Sequence, residues 1–273
     1  MVAAAAVALA VAATLHPHDA PAALAARRYP VAMSIGRLVR RALGSYEQKA
    51  ADRYRAFFLD TDALADTLAS SVRDRDAPLR VLELGCGEGL VATSLLHRLP
   101  QATMLGVDIA DDPGRNFTGD RTRATFRSCT VGQLVADDTP AFDLVVVSDV
   151  LHHIPDADLR GVVSDVVSLL APGGLLAIKE WERDGSLAFR SGWFSDRVVS
   201  GQEVRFFDGA ELRRLVADLA PHAAVVAEHR IAPRRCNLLL VWQAPVSSSS
   251  AGPAATADAT PTPWTLTPSE TPR

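Results

Sequence analysis

Cysteine is scarce in this chain: Cys86, Cys129 and Cys236 are the three it has, at unrelated spacings. Such spacings supply neither an even framework of disulfides nor a zinc-ligand pattern, and they fit reduced thiols in a cytosol. Net charge is small as well. At −4 it offers no general electrostatic grip on nucleic acid. The basic cluster of Arg230, Arg234 and Arg235 reads as a solvated turn rather than a phosphate site. Long apolar runs are missing too. The alanine-rich stretch 3–15 is too short and too weakly apolar for a membrane span. No lysine or arginine precedes it, as a secretory signal requires, and the Arg27–Arg28 pair follows it, where a twin-arginine signal puts the pair in front. The expectation is a cytoplasmic chain with no membrane and no nucleic-acid partner, in which 1–32 is an extension ahead of a start at Met33. The end of the chain, 244–273, is rich in Ser, Thr, Ala and Pro and is expected to be disordered.

What the chain does have is an ordinary globular balance, 48% hydrophobic and 22% charged over 273 residues. Its most informative segment begins at Val81. The apolar residues Val81, Leu82 and Leu84 alternate as in a strand, then Gly85, Gly87 and Gly89 follow at every second position. Leu90, Val91, Leu95, Leu96 and Leu99 recur at helical spacing beyond them. A strand, a glycine turn and a helix present backbone N–H groups at a helix N-terminus, where a ligand can approach because no Cβ stands in the way. The dinucleotide fingerprint spaces its glycines G-x-G-x-x-G. Here the spacing is G-x-G-x-G, with Glu83 ahead of it and Glu88 inside it. Two carboxylates repel a pyrophosphate and suit a ligand bearing an amine and a sulfonium.

This loop, with its preceding acid, resembles motif I of the class I S-adenosylmethionine-dependent methyltransferases, and the resemblance runs in the family's order over roughly residues 79–243. It implies S-adenosyl-L-methionine as cofactor. Glu83, Gly85, Cys86, Gly87 and Gly89 would then surround its methionine part. A second strand, 103–108, ends in Asp108, which matches the acid that takes both ribose hydroxyls in that family. Ile109 and Thr130 would flank the adenine, Thr130 standing where relatives often carry an aspartate, and the backbone at Ser148 would meet the cofactor's amino group. The phrase Val150-Leu151-His152-His153-Ile154-Pro155 is similar to the small-molecule methyltransferases of the ubiquinone and menaquinone group.

Periodicity fills in the frame. Strands are expected at 124–129, at the nearly continuous apolar run 142–149, and at 175–180 after Pro172-Gly173-Gly174 stops a helix. That helix starts at Asp156, a good N-cap, and carries one apolar face of Leu159, Val162, Val163, Val166, Val167 and Leu170. Residues 209–219 read as helical, and 223–231 with 237–243 as a closing pair of strands. The expected fold is α/β: a Rossmann-like, seven-stranded, mostly parallel sheet with helices on both faces and a late antiparallel strand.

Two segments bear on the acceptor. Residues 33–76 are expected to form an N-terminal helical cap ahead of the methyltransferase domain 77–243, with Tyr54, Phe57, Phe58, Leu64 and Leu68 at helical spacing. Residues 182–208, with Phe189, Trp193, Phe194, Phe206 and Phe207, interrupt the fold at a length typical of a lid or binding loop. Methyl transfer needs alignment above all. A hydroxyl acceptor also needs a base, for which His152 and His153 are the candidates, ahead of Asp149 and Glu180. Asp143 and Asp149 do not make a case for a metal, and Ser148-Asp149-Val150-Leu151 lacks the Asn/Asp-Pro-Pro-aromatic pattern of enzymes that methylate a flipped base. The resulting expectation is methyl transfer to a small, fairly apolar metabolite at oxygen. The alternatives are an NAD(P)-dependent oxidoreductase and a catalytically silent S-adenosylmethionine-binding protein.

Overall fold

The computed structural model describes residues 59–183, 205–233 and 236–246. The extension 1–32, the aromatics Tyr54, Phe57 and Phe58, the interior of the 182–208 insertion with Phe189, Trp193 and Phe194, and the tail from 247 lie outside the described residues.

Seven strands form one sheet: β1 (Arg80–Leu84), β2 (Thr103–Asp108), β3 (Ala124–Ser128), β4 (Phe142–Ser148), β5 (Leu170–Trp181), β6 (Ala224–Ile231) and β7 (Asn237–Gln243). Their order is β3-β2-β1-β4-β5-β7-β6. The first five are parallel, and β7 enters antiparallel between β5 and β6. Helices α1 (Thr61–Ser71), α2 (Leu90–Arg98), α3 (Val131–Ala136), α4 (Asp156–Ser168) and α5 (Gly209–Leu219) cover the two faces. The chain winds away from β1 in one direction and from β4 in the other. The crevice between their carboxyl ends is where an open sheet of this kind takes its ligand.

Strand alternation builds two cores. Leu82, Leu84, Val145, Val147, Leu176 and Ile178 face α3, α4 and α5 through Leu134, Leu159, Val163, Val166, Leu212 and Val216. Val81, Met104, Leu144, Val146 and Ala177 face α1 and α2 through Leu64, Leu68, Ala92, Leu95 and Leu96. Leu64 and Leu68, expected in the helical cap, are thus core residues that seat α1 on α2. Arg98 ties the same pair of helices together from outside, reaching Asp66 at 2.5 Å and Asp62 at 3.2 Å.

Two local expectations change. β5 begins at Leu170 rather than 175, because Phe142 pairs with Leu170 across a register shift and Gly173, at φ +76°, absorbs the irregularity inside the strand. Asp156 is the first residue of α4, not its cap. Pro155, with a fixed φ of −55°, takes the capping position, and Asp156 and Asp158 supply first-turn negative charge to the helix dipole.

Candidate active site

At the end of β1 the three glycines all take positive φ: 71° at Gly85, 49° at Gly87 and 86° at Gly89, which also caps α2. Their surroundings differ. A Cβ on Gly85 would run into the Val150 side chain, and one on Gly89 would press on Gly114 and Phe117 at 3.1 Å. Among the described residues, one on Gly87 would meet nothing within 4 Å. The loop is therefore closely packed on both shoulders and open at its centre.

Asp108 ends β2 half-buried beside it. Its Oδ2 accepts from the Gly87 N–H at 2.8 Å and its Oδ1 from the Ala110 N–H at 2.9 Å. Each oxygen keeps a further lone pair, so the carboxylate both braces the glycine loop and retains two acceptors for a ligand. Ile109, next in the chain, is 66% exposed, a large apolar side chain left in the open at the crevice. Thr130 stands at the start of α3 as its N-cap. Its hydroxyl accepts from the Gln133 N–H, and the Gln133 side chain accepts in return from the Thr130 N–H, a complete capping box. Ser148 is the half-buried last residue of β4.

Glu83 lies on the α2 face of β1 and is buried. Burial, reinforced by the Asp108 charge and opposed by the Ala92 N–H, pushes its carboxyl up to about 8. Among the described residues its Oε2 has no hydrogen-bond partner. Cys86, buried in the loop, is pushed up by burial and by the same two carboxylates, so it is a neutral thiol and no nucleophile. Glu88 is differently placed. Its side chain accepts from Arg115 and from Asn116 Nδ2 at 2.9 Å, while Gly114 N–H donates to Gly87 O at 2.8 Å. The 114–116 turn is thereby laced onto the glycine loop. With Glu88 neutralised by Arg115 and Glu83 near its neutral form, the two acids do not form the repulsive pair that the sequence suggested. Asp108 carries the negative charge of the site.

On the other side of the crevice the last residues of β5 hold the turn after β4. Lys179, one of two lysines in the chain, is fully buried, and its Nζ donates to both oxygens of Asp149 at 2.7 and 2.6 Å. Asp149 has φ +57°, a left-handed backbone that aspartate tolerates better than most residues. Glu180 accepts the backbone N–H groups of Val150 at 3.0 Å and Leu151 at 2.7 Å through Oε1, and pairs with His152 Nδ1 at 2.6 Å through Oε2. His152 is buried, its ring stacked 5.7 Å from Phe206, whereas His153 is exposed and tilted against it at 4.0 Å. Asp149, His152 and Glu180 bring three donor atoms within 4.8 Å of one another. The His152–Glu180 hydrogen bond and the Lys179 ammonium on Asp149 engage those atoms, so a cation entering there has to displace a fixed positive charge.

The structure thus places Glu83, Gly85, Cys86, Gly87, Gly89, Asp108 and Ile109 around the ends of β1 and β2, Thr130 just past β3, and Ser148, His152 and His153 at the end of β4. Sequence reasoning missed Lys179, Arg115 and Asn116. Lys179 sits unannounced in an apolar strand; its one signal was a charge where a buried strand has none.

A doubly wound sheet with a glycine loop at its switch point and an acid ending the next strand defines a nucleoside-cofactor-binding α/β protein. The family described as methyltransferase domain matches residues 46–219, and the chain belongs to it. An uncharacterized methyltransferase of Mycobacterium tuberculosis is 35% identical over 104 residues, 36% of this chain and 48% of the relative. The ubiquinone biosynthesis O-methyltransferase of Idiomarina loihiensis is 31% identical over 109 residues, 38% of this chain and 43% of the relative. The match therefore spans less than half the length of either curated relative. Among solved structures, the 1,6-didemethyltoxoflavin-N1-methyltransferase of Burkholderia thailandensis with 1,6-didemethyltoxoflavin and S-adenosylhomocysteine bound has a TM-score of 0.53 at 20% identity. It covers 84% of this chain and 94% of that one, a likeness of fold. Among the described residues, no helix is long and apolar enough to cross a membrane.

Proposed function

We propose that this chain transfers the methyl group of S-adenosylmethionine to a small, fairly apolar acceptor, at oxygen. The observation that carries the reading is a convergence at the β1/β4 switch point. There the open space over Gly87, the two remaining acceptors of Asp108 and the orphaned Glu83 oxygen meet. These fit a ligand that joins a ribose diol to a cationic amino-acid end. Asp108 would hold the diol, Ile109 and the backbone around Thr130 would border the adenine, and Gly85–Gly89 with Glu83 and the Ser148 backbone would receive the methionine part. Bound there, the cofactor would supply an electrophilic methyl for in-line transfer to the acceptor, its sulfur leaving as a neutral thioether.

His152 is the proposed base, with His153 the second candidate. Glu180 Oε2, 2.6 Å from Nδ1, holds the ring proton there, which makes Nε2 the basic atom of the neutral ring. The same carboxylate stabilises the imidazolium formed when Nε2 takes a hydroxyl proton. The 182–208 insertion is proposed as the acceptor side of the site. Its two feet lie side by side, Glu182 bridged to Phe207 and Arg183 N–H donating to Phe207 O at 2.8 Å, and Phe206 of the return foot stacks on His152. Residues 33–76 are proposed as the helical cap, with α1 as its last helix. The three free, buried cysteines support a cytoplasmic setting.

Calorimetry and turnover test the reading together. S-adenosylhomocysteine should bind and NAD should not. Phenolic acceptors should yield S-adenosylhomocysteine from S-adenosylmethionine, while anilines of the same skeleton should not. Tight NAD binding without S-adenosylhomocysteine binding would restore the oxidoreductase. Binding with no turnover on any acceptor would leave a silent receptor, and turnover on the anilines alone would move the chemistry to nitrogen.

A further inference from the structure

We propose that Glu83 is a proton-exchanging receptor for the amino-acid end of the cofactor, a neutral acid while the site is empty that gives up its proton to solvent when the cationic ligand docks. The inference rests on the S-adenosylmethionine reading above and adds to it a linkage between ligand and proton.

Three observations support it. First, Glu83 Oε2 is a buried polar atom with no hydrogen-bond partner among the described residues, and native folds leave few buried polar atoms in that condition. Second, the groups packed around the carboxyl do not balance an ionised form. From β2 comes the Asp108 carboxylate, from the loop the Cys86 thiol and from α2 the Ala92 N–H. On β1's neighbouring strands the register partners are Gly106 and Val146, neither of them charged. No cation faces Glu83 from any of these elements, so an anion there is opposed by burial and by Asp108 together. Third, the residue two positions on begins the glycine loop whose centre is open space. A ligand ammonium brought to that loop supplies the missing positive charge, which favours the carboxylate over the acid. The carboxyl already stands at about 8 in the empty site, so the proton is in place to be released near neutral pH.

The test is calorimetric titration at about pH 6.5 in two buffers of different ionisation enthalpy, using the whole protein. Three ligands are compared: S-adenosylmethionine, S-adenosylhomocysteine, and methylthioadenosine, which keeps the nucleoside and lacks the amino-acid end. At that pH both Glu83 and the ligand amine are protonated, so release of about one proton per bound ligand is expected for the first two and none for the third. Glu83→Gln should bind S-adenosylhomocysteine without the release, while any contribution from the histidines would persist in that variant. Equal heats in both buffers for bound S-adenosylhomocysteine would overturn the proposal and leave the cofactor assignment intact. So would equal release with methylthioadenosine, or release retained in Glu83→Gln. Should that variant not fold, the comparison of the three ligands on the wild-type protein decides alone. Failure of all three ligands to bind would instead remove the cofactor reading, and this proposal with it.

Discussion

At the scale of single residues, the glycine loop separates two demands that usually travel together, stability and binding. Gly85 and Gly87 both have positive φ, which costs an ordinary residue about 1–2 kcal/mol. Only at Gly85 does a Cβ also collide, with Val150. Gly85→Ala is therefore expected to lower the unfolding midpoint well beyond that strain, whereas Gly87→Val should fold and lose the cofactor, because its side chain occupies the open centre of the loop. Urea unfolding and calorimetry on the two variants give the contrast; a Gly87→Val protein that binds as the wild type would remove the cofactor from that space. Asp108 is a second separable case. Asp108→Ala strands the ligand hydroxyls and releases the Gly87 N–H, and should weaken S-adenosylhomocysteine binding by about 1–3 kcal/mol. Unchanged affinity would refute the ribose assignment.

At the scale of elements, the end of β5 governs the turn after β4, and the governing pair is asymmetric. Lys179 is fully buried while a third of the Asp149 side chain reaches solvent. Asp149→Ala leaves a buried ammonium without its partner, at a cost of about 3–5 kcal/mol. Lys179→Met leaves a carboxylate that water can still reach, so its loss should be clearly smaller, and the double variant should recover part of the Asp149→Ala loss. Urea midpoints of the three proteins check the order, which reversed losses would contradict. This clamp also shows where sequence reading stops. β1, β2 and β4 were legible because buried parallel strands are short apolar runs, and α5 because its face repeats. The strand order past β5 was not, since pairing between distant segments leaves no local trace; nor was the start of β5, where Pro172-Gly173-Gly174 looks like a stop and is carried inside the strand. In the candidate site, the placement of Gly85–Gly89 after β1 and of Asp108 at the end of β2 could be read because it follows from local spacing. The partners of Asp149 and Glu88 could not, being 30 and 27 residues away in sequence.

At the scale of the whole molecule, the fold buries an acid at its ligand crevice and should therefore lose stability as pH rises through neutrality while the cofactor is absent. Glu83 moves from 4.5 to about 8 on folding. A carboxyl raised in the folded state binds more protons there than in the unfolded chain, so its contribution is complete below about 4.5 and is withdrawn as pH climbs to about 8, at up to about 1.4 kcal/mol per pH unit. The acids that the fold lowers, Asp66, Asp120, Asp208 and Glu228, have the opposite sign and act on the acid side of that window, and their exposure to solvent makes them weak. Between about pH 5.5 and 8 the histidines titrate as well, but they are common to the wild type and Glu83→Gln, so the difference between those two proteins isolates the buried glutamate. Urea unfolding of cofactor-free protein across that range should show the wild type losing stability relative to Glu83→Gln, whose neutral amide cannot titrate. Parallel profiles for the two proteins would contradict the raised carboxyl at Glu83.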